Sequence, residues 1–399
     1  MKKILIFSHA MEIGGAERAL IGLLETIDTT KYQVDLFLMR HEGELMSYIP
    51  EGIRLLPESR PYSCLAVPFG RVLKRGCFGV AIGRFWGKRK AACRVKELGF
   101  TCENDVALEY SHKYTAPFLS MISEETYDLA ISFLTPHYFV AGKVNAKKKI
   151  AWIHTDYSIV ATDRESQLKM WDAYDWIASI SEQVTDSFLK MFPELKKKIL
   201  LIPNIMPMRY LGSMTKAFSP EQEMPRDGSI RLLSVGRFCS AKNFDNVPDI
   251  CKRLREKGFA VKWYLIGFGG DEALIRQKIE EAGMQEAVII LGKKENPYPY
   301  IAACDLYVQP SRYEGKCVSV IEAQILGKPV VITRYATSVS QLEEDVDGVI
   351  VPMDNEGCAE GISAVLKNRE LQNLLAENTK KHDYTNAAEI QKLYKLIEG

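Results

Sequence analysis

The sequence has no hydrophobic run long enough to span a membrane. A transmembrane helix needs about 18 or more predominantly apolar residues in succession, but the apolar stretches of this 399-residue chain are short and interrupted. The first of them, Ile-Leu-Ile-Phe after the basic start, is also too short for the core of a signal peptide. We therefore expect a cytoplasmic protein, bound at most peripherally to the inner face of the cell membrane.

Paired metal-ligand motifs and an excess of charge of one sign are also missing. The nine cysteines contain no Cys-x-x-Cys pair and the six histidines no His-Glu-x-x-His pattern. These absences argue against a zinc site and against a disulfide framework, and they favour a reducing compartment. The formal net charge is +1, which gives no general case for nucleic acid but can hide a local patch.

Apolar strands and amphipathic helices alternate in two successive blocks. The first block covers residues 1–205, and the alternation restarts at residue 229 and continues to residue 385. Residues 206–228 contain three prolines and little periodicity, which predicts an interdomain linker. A last helix, within residues 386–399, is expected to pack back toward the first domain. This order predicts an α/β fold of two Rossmann-like, doubly wound domains that face a central cleft.

Two cations follow the first strand of the second domain. Arg237 and Lys242 lie in the loop "VGRFCSAKN", where a glycine lets the backbone turn. At the carboxyl end of a parallel strand they suit a diphosphate, because Arg binds as a planar fork and Lys as a point charge. A solvated loop is the ordinary alternative for such a pair taken alone.

Two glutamates, Glu314 and Glu322, lie on either side of an apolar run. Glu314 is in a loop after a predicted strand that ends at Ser311, and Glu322 is one turn inside a helix predicted near residues 318–326. The helix N-terminus can bind a phosphate, and a carboxylate one turn further on can accept hydrogen bonds from a pair of ribose hydroxyls. The alternative is one solvated surface residue and one residue on a helix face.

These motifs resemble the retaining GT-B glycosyltransferases of family 4, which carry two glutamates separated by seven residues. The resemblance extends over nearly the whole chain, through "GGAER", "WIHTDY", "PN", "VGRF", "LIGFGG", "YEGKCVSVIEA" and "GKPVVIT". It implies an enzyme that needs neither a metal nor a cofactor. This enzyme would move a hexose or N-acetylhexosamine from a nucleotide sugar, expected to be a UDP-sugar. The implied acceptor is lipid-linked or another saccharide, as in the synthesis of bacterial-type cell-surface polysaccharides, and the anomeric configuration would be retained.

The resemblance also implies a role for each matching residue. The diphosphate would meet Arg237 and Lys242, the ribose would meet Glu322, and the donor sugar would face Glu314. The implied catalytic residues are Glu314, His154, Arg237 and Lys242. The implied donor-binding residues are Gly14, Gly15, Arg237, Lys242, Gly315, Lys316, Cys317, Val318 and Glu322.

Other interpretations of the sequence have less support. A sugar-nucleotide epimerase on a similar scaffold and a catalytically inactive sugar-nucleotide sensor are the alternative functions. The "GFGG" at residues 267–270 lacks the full spacing of a dinucleotide-binding loop. Asp345 and Asp347 resemble a metal-binding Asp-x-Asp motif but lie in an ordinary connection before a strand. His9 and His137 are expected to be packed or solvated.

Residues 69–97 form a basic and aromatic segment. Nine Arg or Lys lie between residues 71 and 96, no acid precedes Glu97, and the segment includes Phe69, Phe78, Phe85 and Trp86. Nucleic acid binding, an anionic membrane surface and a plain solvated helix are the possible interpretations. We favour the membrane and expect no nucleic acid, because cations with Trp and Phe suit the headgroup boundary of a bilayer.

Overall fold

The structure, a computed structural model, describes residues 1–12, 14–100, 104–155, 157, 161–314 and 316–399. They form two compact units, one of Met1–Pro207 with Asn386–Gly399 and the other of Met208–Thr385. Each unit is built on one sheet of parallel strands that alternate with helices along the chain.

The sheet of the first unit has, within the described residues, seven parallel strands in the order β3-β2-β1-β4-β5-β6-β7. The strands are β1 (Lys2–Ser8), β2 (Tyr32–Leu38), β3 (Ile53–Leu55), β4 (Thr126–Ser132), β5 (Asn145–Ile153), β6 (Trp176–Ser179) and β7 (Ile199–Leu201). The helices are α1 (Gly15–Thr26), α2 (Arg60–Ser63), α3 (Phe69–Lys74), α4 (Phe78–Leu98), α5 (Val106–Thr115), α6 (His137–Lys143), α7 (Arg164–Asp172) and α8 (Glu182–Met191).

The sheet of the second unit has six parallel strands in the order β10-β9-β8-β11-β12-β13, counted over the residues that the structure describes. Its elements are α9 (Met208–Thr215), β8 (Ile230–Val235), α10 (Val247–Glu256), β9 (Val261–Ile266), α11 (Glu272–Ala282), β10 (Val288–Gly292), α12 (Tyr298–Ala303), β11 (Leu306–Gln309), α13 (Val318–Ile325), β12 (Val330–Thr333), α14 (Ser338–Gln341), β13 (Val349–Val351), α15 (Asn355–Lys367) and α16 (Arg369–Lys381). The last helix, α17 (Ile390–Glu398), belongs to the first unit.

Both sheets have the doubly wound topology that the sequence predicted, and the predicted fold class is confirmed. The central strands contain buried apolar runs, such as Ile4 to Phe7 of β1, as expected for a parallel sheet covered on both faces. The strand order reverses between β1 and β4 in the first unit and between β8 and β11 in the second. Ligands of such sheets bind beyond the carboxyl ends of the strands at this reversal.

Residues 206–228 are not the plain linker that their prolines predicted. From Met208 onward they belong to the second unit, and they begin with helix α9. Two edge-to-face aromatic contacts attach the segment to α12, one between Tyr210 and Tyr298 at 5.8 Å and one between Phe218 and Tyr300 at 5.6 Å. These partners lie far away in sequence, so local periodicity could not reveal them.

The C-terminal helix α17 contacts the first sheet. The ring of Tyr394 stacks on Tyr32 of β2 at 4.7 Å, and the Tyr32 hydroxyl donates a hydrogen bond to Glu398 Oε1 at 2.9 Å. Lys392 Nζ donates to the Leu201 carbonyl at the end of β7. The final residues of the chain therefore complete the first unit.

Helices α4 and α5 pack closely through two glycines. A Cβ atom at Gly83 would lie 2.7 Å from the Tyr114 carbonyl oxygen, and one at Gly87 would lie 2.6 Å from the Tyr110 carbonyl oxygen. Both glycines lie on the buried side of α4, one turn apart. Only glycine lets the two backbones approach this closely.

We expect Gly87→Ala to lower the free energy of unfolding by about 1–3 kcal/mol, because the added methyl group forces the helices apart. Urea denaturation measures the effect. Gly70→Ala in α3 is the matched control, since a Cβ there meets no atom within 4 Å and alanine suits a helix better than glycine. A midpoint for Gly87→Ala equal to that of wild type would contradict the assigned packing.

Candidate active site

Charged side chains meet beyond the carboxyl ends of β8 and β11, where the strand order of the second sheet reverses. β8 is followed by the loop that carries Arg237 and Lys242, and β11 by the loop that carries Glu314. Lys242 Nζ lies 2.5 Å from Glu314 Oε1, and the two side chains are only 18% and 11% exposed. Ser311 Oγ donates a second hydrogen bond to the same carboxylate oxygen at 2.6 Å.

Lys242 remains a cation in spite of its burial. Burial lowers its pKa, but the neighbouring Cys317 and Glu314 raise it, and the net pKa lies above its ordinary value. Its aliphatic chain crosses Gly236, where a Cβ atom would lie 3.1 Å from the Lys242 Cε atom. The glycine before Arg237 therefore leaves room for the lysine.

Arg237 is exposed at the start of the same loop. Its guanidinium has no hydrogen bond or ion pair with the residues that the structure describes. Unlike Lys242, which is already paired, Arg237 is available to an incoming anion.

A glycine-rich turn after β9 supports the Arg237 loop. A Cβ atom at Gly267 would lie 1.8 Å from the Gly236 carbonyl oxygen, and one at Gly269 would lie 2.2 Å from the Phe238 carbonyl oxygen. The glycines of "GFGG" thus serve close packing between two loops of the second unit. The sequence analysis missed this role, although two glycines directly after a strand are a usable signal of close backbone approach.

Arg312 joins the two loops of the site by charge. Its guanidinium makes two hydrogen bonds to the Asp245 carboxylate, at 2.9 and 2.7 Å, and a third to the Ser240 carbonyl at 2.7 Å. Arg312 lies in the loop after β11, whereas its partners follow β8. The two loops are therefore held together independently of Lys242 and Glu314.

Glu322 lies one turn inside α13, where the sequence predicted it. Its side chain is buried, with 1% exposure, and its Oε1 accepts a hydrogen bond from the Tyr298 hydroxyl at 2.9 Å. Tyr298 is a site residue that sequence reasoning missed, because its contact with Glu322 depends on how α12 packs against α13.

The residues before α13 make contacts with α14. Gly315 lies outside the described residues, and the exposed Lys316 donates from Nζ to the Ser340 carbonyl at 2.8 Å. The Cys317 amide donates to Gln341 Oε1 at 2.7 Å. Val318, the first residue of α13, is half-buried.

The Asp345–Asp347 segment forms a turn. Asp347 Oδ2 accepts a hydrogen bond from the Tyr384 hydroxyl and its Oδ1 accepts one from the Glu343 amide, both at 2.8 Å. Across the described part of the chain, no group of three or more His, Cys, Asp or Glu side chains is arranged to hold a metal ion.

In the first unit, histidines follow the strands near the point of reversal. His154 comes directly after β5, and its ring lies 4.7 Å from that of Phe133. Burial lowers its pKa to about 4, against a hydrogen bond to the Phe133 backbone, so the imidazole is neutral at physiological pH. Its buried Nε2 has no hydrogen-bond partner among the described residues.

The other two histidines of this edge differ in their surroundings. His137 is buried, with its Nδ1 2.8 Å from Ser132 Oγ and its ring 4.6 Å from that of Trp171. It is therefore a packed histidine. His9 is half-buried, and burial lowers its pKa to about 4.

Gly14 and Gly15 lie at the start of α1, after β1. Among the described residues, a Cβ atom at Gly15 would meet nothing within 4 Å, whereas one at Gly14 would lie 2.0 Å from Glu17 Oε2. The Glu17 carboxylate therefore lies directly against Gly14.

Residues 215–382, inside the second unit, match the sequence model of the family described as glycosyl transferases group 1. This segment contains Lys242, Glu314 and Glu322. The chain is a glycosyltransferase.

Two relatives show how far the similarity extends. The glycosyltransferase is 24% identical over 379 residues to the Campylobacter jejuni N-acetylgalactosamine-N,N'-diacetylbacillosaminyl-diphospho-undecaprenol 4-alpha-N-acetylgalactosaminyltransferase, covering 93% of this chain and 92% of that protein. It is 26% identical over 204 residues to the putative colanic acid biosynthesis glycosyltransferase WcaL of Escherichia coli, covering 47% of this chain and 50% of WcaL.

Solved structures share the fold of the whole chain. HepE of Anabaena, crystallised with UDP and glucose, superposes with a TM-score of 0.67 at 16% identity over 100% of both chains. WaaG, a glycosyltransferase involved in lipopolysaccharide biosynthesis, superposes with a TM-score of 0.56 at 16% identity over 99% of this chain and 100% of WaaG. The predicted GT-B fold is confirmed.

Proposed function

We propose that this glycosyltransferase moves a hexose or N-acetylhexosamine from a UDP-sugar to a lipid-linked saccharide, with retention of configuration and without a metal. The Lys242–Glu314 pair beyond β8 and β11 is the observation that carries the proposal. HepE, which has the same fold, was crystallised with UDP, and the Campylobacter relative is named for a diphospho-undecaprenol acceptor. The proposed setting is the synthesis of a bacterial cell-surface polysaccharide on the cytoplasmic side of the membrane.

In the transfer reaction, the diphosphate leaves with the electron pair of the bond that joined it to the sugar. As the bond between the sugar and the phosphate oxygen breaks, negative charge grows on the diphosphate, and preorganised cations lower the energy of that state. Lys242 would supply a fixed cation, and Arg237 a planar fork with no competing partner among the described residues. We assign Glu314 a positioning and electrostatic role beside the donor sugar.

The side chains of His154 and Glu322 also suit the roles that the resemblance implies for them. His154 carries a neutral imidazole whose buried Nε2 lacks a partner among the described residues, which suits a hydrogen bond to a sugar hydroxyl. Glu322 offers a buried carboxylate, oriented by Tyr298, as an acceptor for ribose hydroxyls. The epimerase alternative has no support from the four proteins compared above.

We expect Glu322→Ala to weaken UDP binding by about 1.5–3 kcal/mol, because two ribose hydroxyls lose a charged acceptor. Isothermal titration calorimetry measures the effect. Glu377→Ala removes an exposed carboxylate from α16 of the same unit and should bind UDP like wild type. Glu322→Gln keeps the side-chain shape and serves as a second variant if the alanine variant is unstable. Unchanged affinity in both Glu322 variants would refute the ribose assignment.

Arg237→Ala and Lys242→Ala should each lower kcat by about 100- to 1000-fold while weakening donor binding much less, because the diphosphate charge grows in the transition state. Steady-state kinetics combined with calorimetry separate the two effects. Lys252→Ala, which removes an exposed cation from α10, is the control.

Equal losses in donor affinity and in kcat/KM would show that the two cations only bind the donor. If they take the place of a metal, activity should also persist in excess EDTA. Abolished activity in EDTA would refute the metal-independent mechanism.

The basic and aromatic segment of the first unit is the proposed membrane contact. None of the helices in the described part of the chain has the length and hydrophobicity to span a bilayer. Phe78, Phe85 and Trp86 of α4 are 64%, 54% and 48% exposed. With Ile82 they recur at the spacing of one helix face, and three exposed cations, at residues 88–90, follow on the next turn. Exposed rings beside cations suit an anionic headgroup region.

Two of the nine cations do not belong to this surface. Arg84 Nη1 donates to the Val67 carbonyl at 2.6 Å and to the Cys64 carbonyl at 3.1 Å, and Arg94 Nε donates to the Asp163 carboxylate at 2.8 Å. Both are half-buried and hold the first unit together. The other seven cations are exposed.

We expect the triple variant Lys88→Glu, Arg89→Glu and Lys90→Glu to lose binding to vesicles of phosphatidylglycerol and phosphatidylcholine, since each basic residue contributes about 1 kcal/mol near such a surface. Sedimentation with vesicles measures binding. The control reverses three exposed lysines elsewhere in the unit, Lys190, Lys196 and Lys197. Activity on a short soluble acceptor should survive. Vesicle binding by the Lys88–Lys90 variant, or none by wild type at low salt, would refute the proposal.

A further inference from the structure

A cavity lies in the first unit, beyond the carboxyl ends of β4 and β5. Its volume is about 80 Å³, and its walls come from α5, α7 and the residues that follow the two strands. At about 10–15 Å³ for each water, this space holds about five to eight water molecules. It is therefore large enough for part of a sugar ring with its exocyclic groups.

Two carboxylates line the cavity, and the protein uses only one oxygen of each. Glu109 Oε1 accepts a hydrogen bond from the Tyr138 hydroxyl, and Asp105 Oδ2 accepts one from Gln167 Nε2, both at 2.6 Å. The other oxygens, Glu109 Oε2 and Asp105 Oδ1, are buried and have no partner among the described residues. Glu109 as a whole is only 7% exposed, and burial raises its pKa to about 7 and raises the pKa of Asp105 above its ordinary value. Buried acceptors without partners carry a free-energy penalty that a donating ligand relieves.

The remaining walls disfavour an anionic ligand. Burial lowers the pKa of both His112 and His137 to about 3, so these imidazoles are neutral. No lysine or arginine is present among the described residues that line the cavity. A phosphate would therefore face two carboxyl groups with no cation among the described residues that line the cavity.

Apolar side chains complete the cavity. Trp171 and Tyr157 line it together with Leu108 and Met170. A pocket with mainly apolar walls and a few convergent acceptors is typical of a small-molecule site. Sugars match this combination, because they have apolar C–H faces and hydroxyl groups that donate hydrogen bonds.

We infer that this cavity is a subsite for a sugar residue of the acceptor that carries no anionic group. Glu109 and Asp105 accept hydrogen bonds from its hydroxyl or acetamido N–H groups, and Trp171 and Tyr157 contact its apolar face. The two carboxylates bind and orient the sugar and take no part in bond breaking. The assignment of the bound sugar to the acceptor rests on the proposed function.

Isosteric substitutions test the subsite. Glu109→Gln and Asp105→Asn keep an oxygen for Tyr138 and Gln167 and replace only the unpartnered oxygen with an amide donor. The probes are the methyl glycosides of glucose, galactose, N-acetylglucosamine and N-acetylgalactosamine, observed by saturation-transfer NMR. We expect wild type to bind at least one of them, and each variant to weaken that binding about tenfold or more.

Control variants distinguish a protein that has lost the subsite from one that no longer folds. Glu124→Gln makes the same change at an exposed position of the same unit and should bind the probe like wild type. Leu108→Trp adds bulk at a lining side chain that is 57% exposed, so it should reduce probe binding without disturbing the core. UDP affinity should be unchanged in every variant, because the Lys242 site lies in the other unit.

Two results would overturn the inference. One is a wild-type protein that binds UDP but none of the four glycosides, and the other is probe binding that survives in Glu109→Gln, Asp105→Asn and Leu108→Trp alike. Glycoside binding that these variants abolish, in a protein that does not bind UDP, would support the subsite and refute the proposed donor chemistry instead.

Discussion

The site of the second unit depends on a lysine ammonium group that stays charged while little exposed. Burial alone favours the neutral amine, and the neighbouring Cys317 together with the Glu314 carboxylate, 2.5 Å away, reverses that preference. Residues around the Lys242–Glu314 pair hold the two loops that carry it in place. Gly236 leaves room for the lysine chain, the turn at residues 267–270 packs against the Arg237 loop, and Arg312 joins the loops through Asp245. The cation is thus fixed where the strand order reverses.

The two units share a strand order but differ in the chemistry at the corresponding edge. In the second unit this edge has paired charges and an arginine without a partner among the described residues, a combination that suits a phosphate. In the first unit it has neutral histidines, and two carboxyl groups line a nearby cavity, each with one oxygen that lacks a partner in the described part of the chain. Groups of this kind suit hydroxyl-bearing ligands. The same topology therefore carries two kinds of side-chain chemistry in the residues that follow the strands.

Much of this architecture could be predicted from local patterns. Parallel strands that are buried on both faces appear in the sequence as apolar runs. In the helices between them, apolar residues recur at the helical period. For that reason the two α/β blocks, and the position of Glu322 one turn inside α13, were predictable. The spacing of Glu314 and Glu322 was also informative, because a loop and the helix that follows it have a fixed geometry over a few residues.

The sequence by itself thus determined the order of the elements and the residues that follow each strand. Only the tertiary structure decided which of those residues meet. Lys242 and Glu314 become neighbours because β8 lies beside β11, and Tyr298 reaches Glu322 because α12 packs on α13. Packing likewise turned Arg84 and Arg94 inward, away from the exposed basic surface. Such contacts join residues distant along the chain, whereas propensity and periodicity report only on near neighbours.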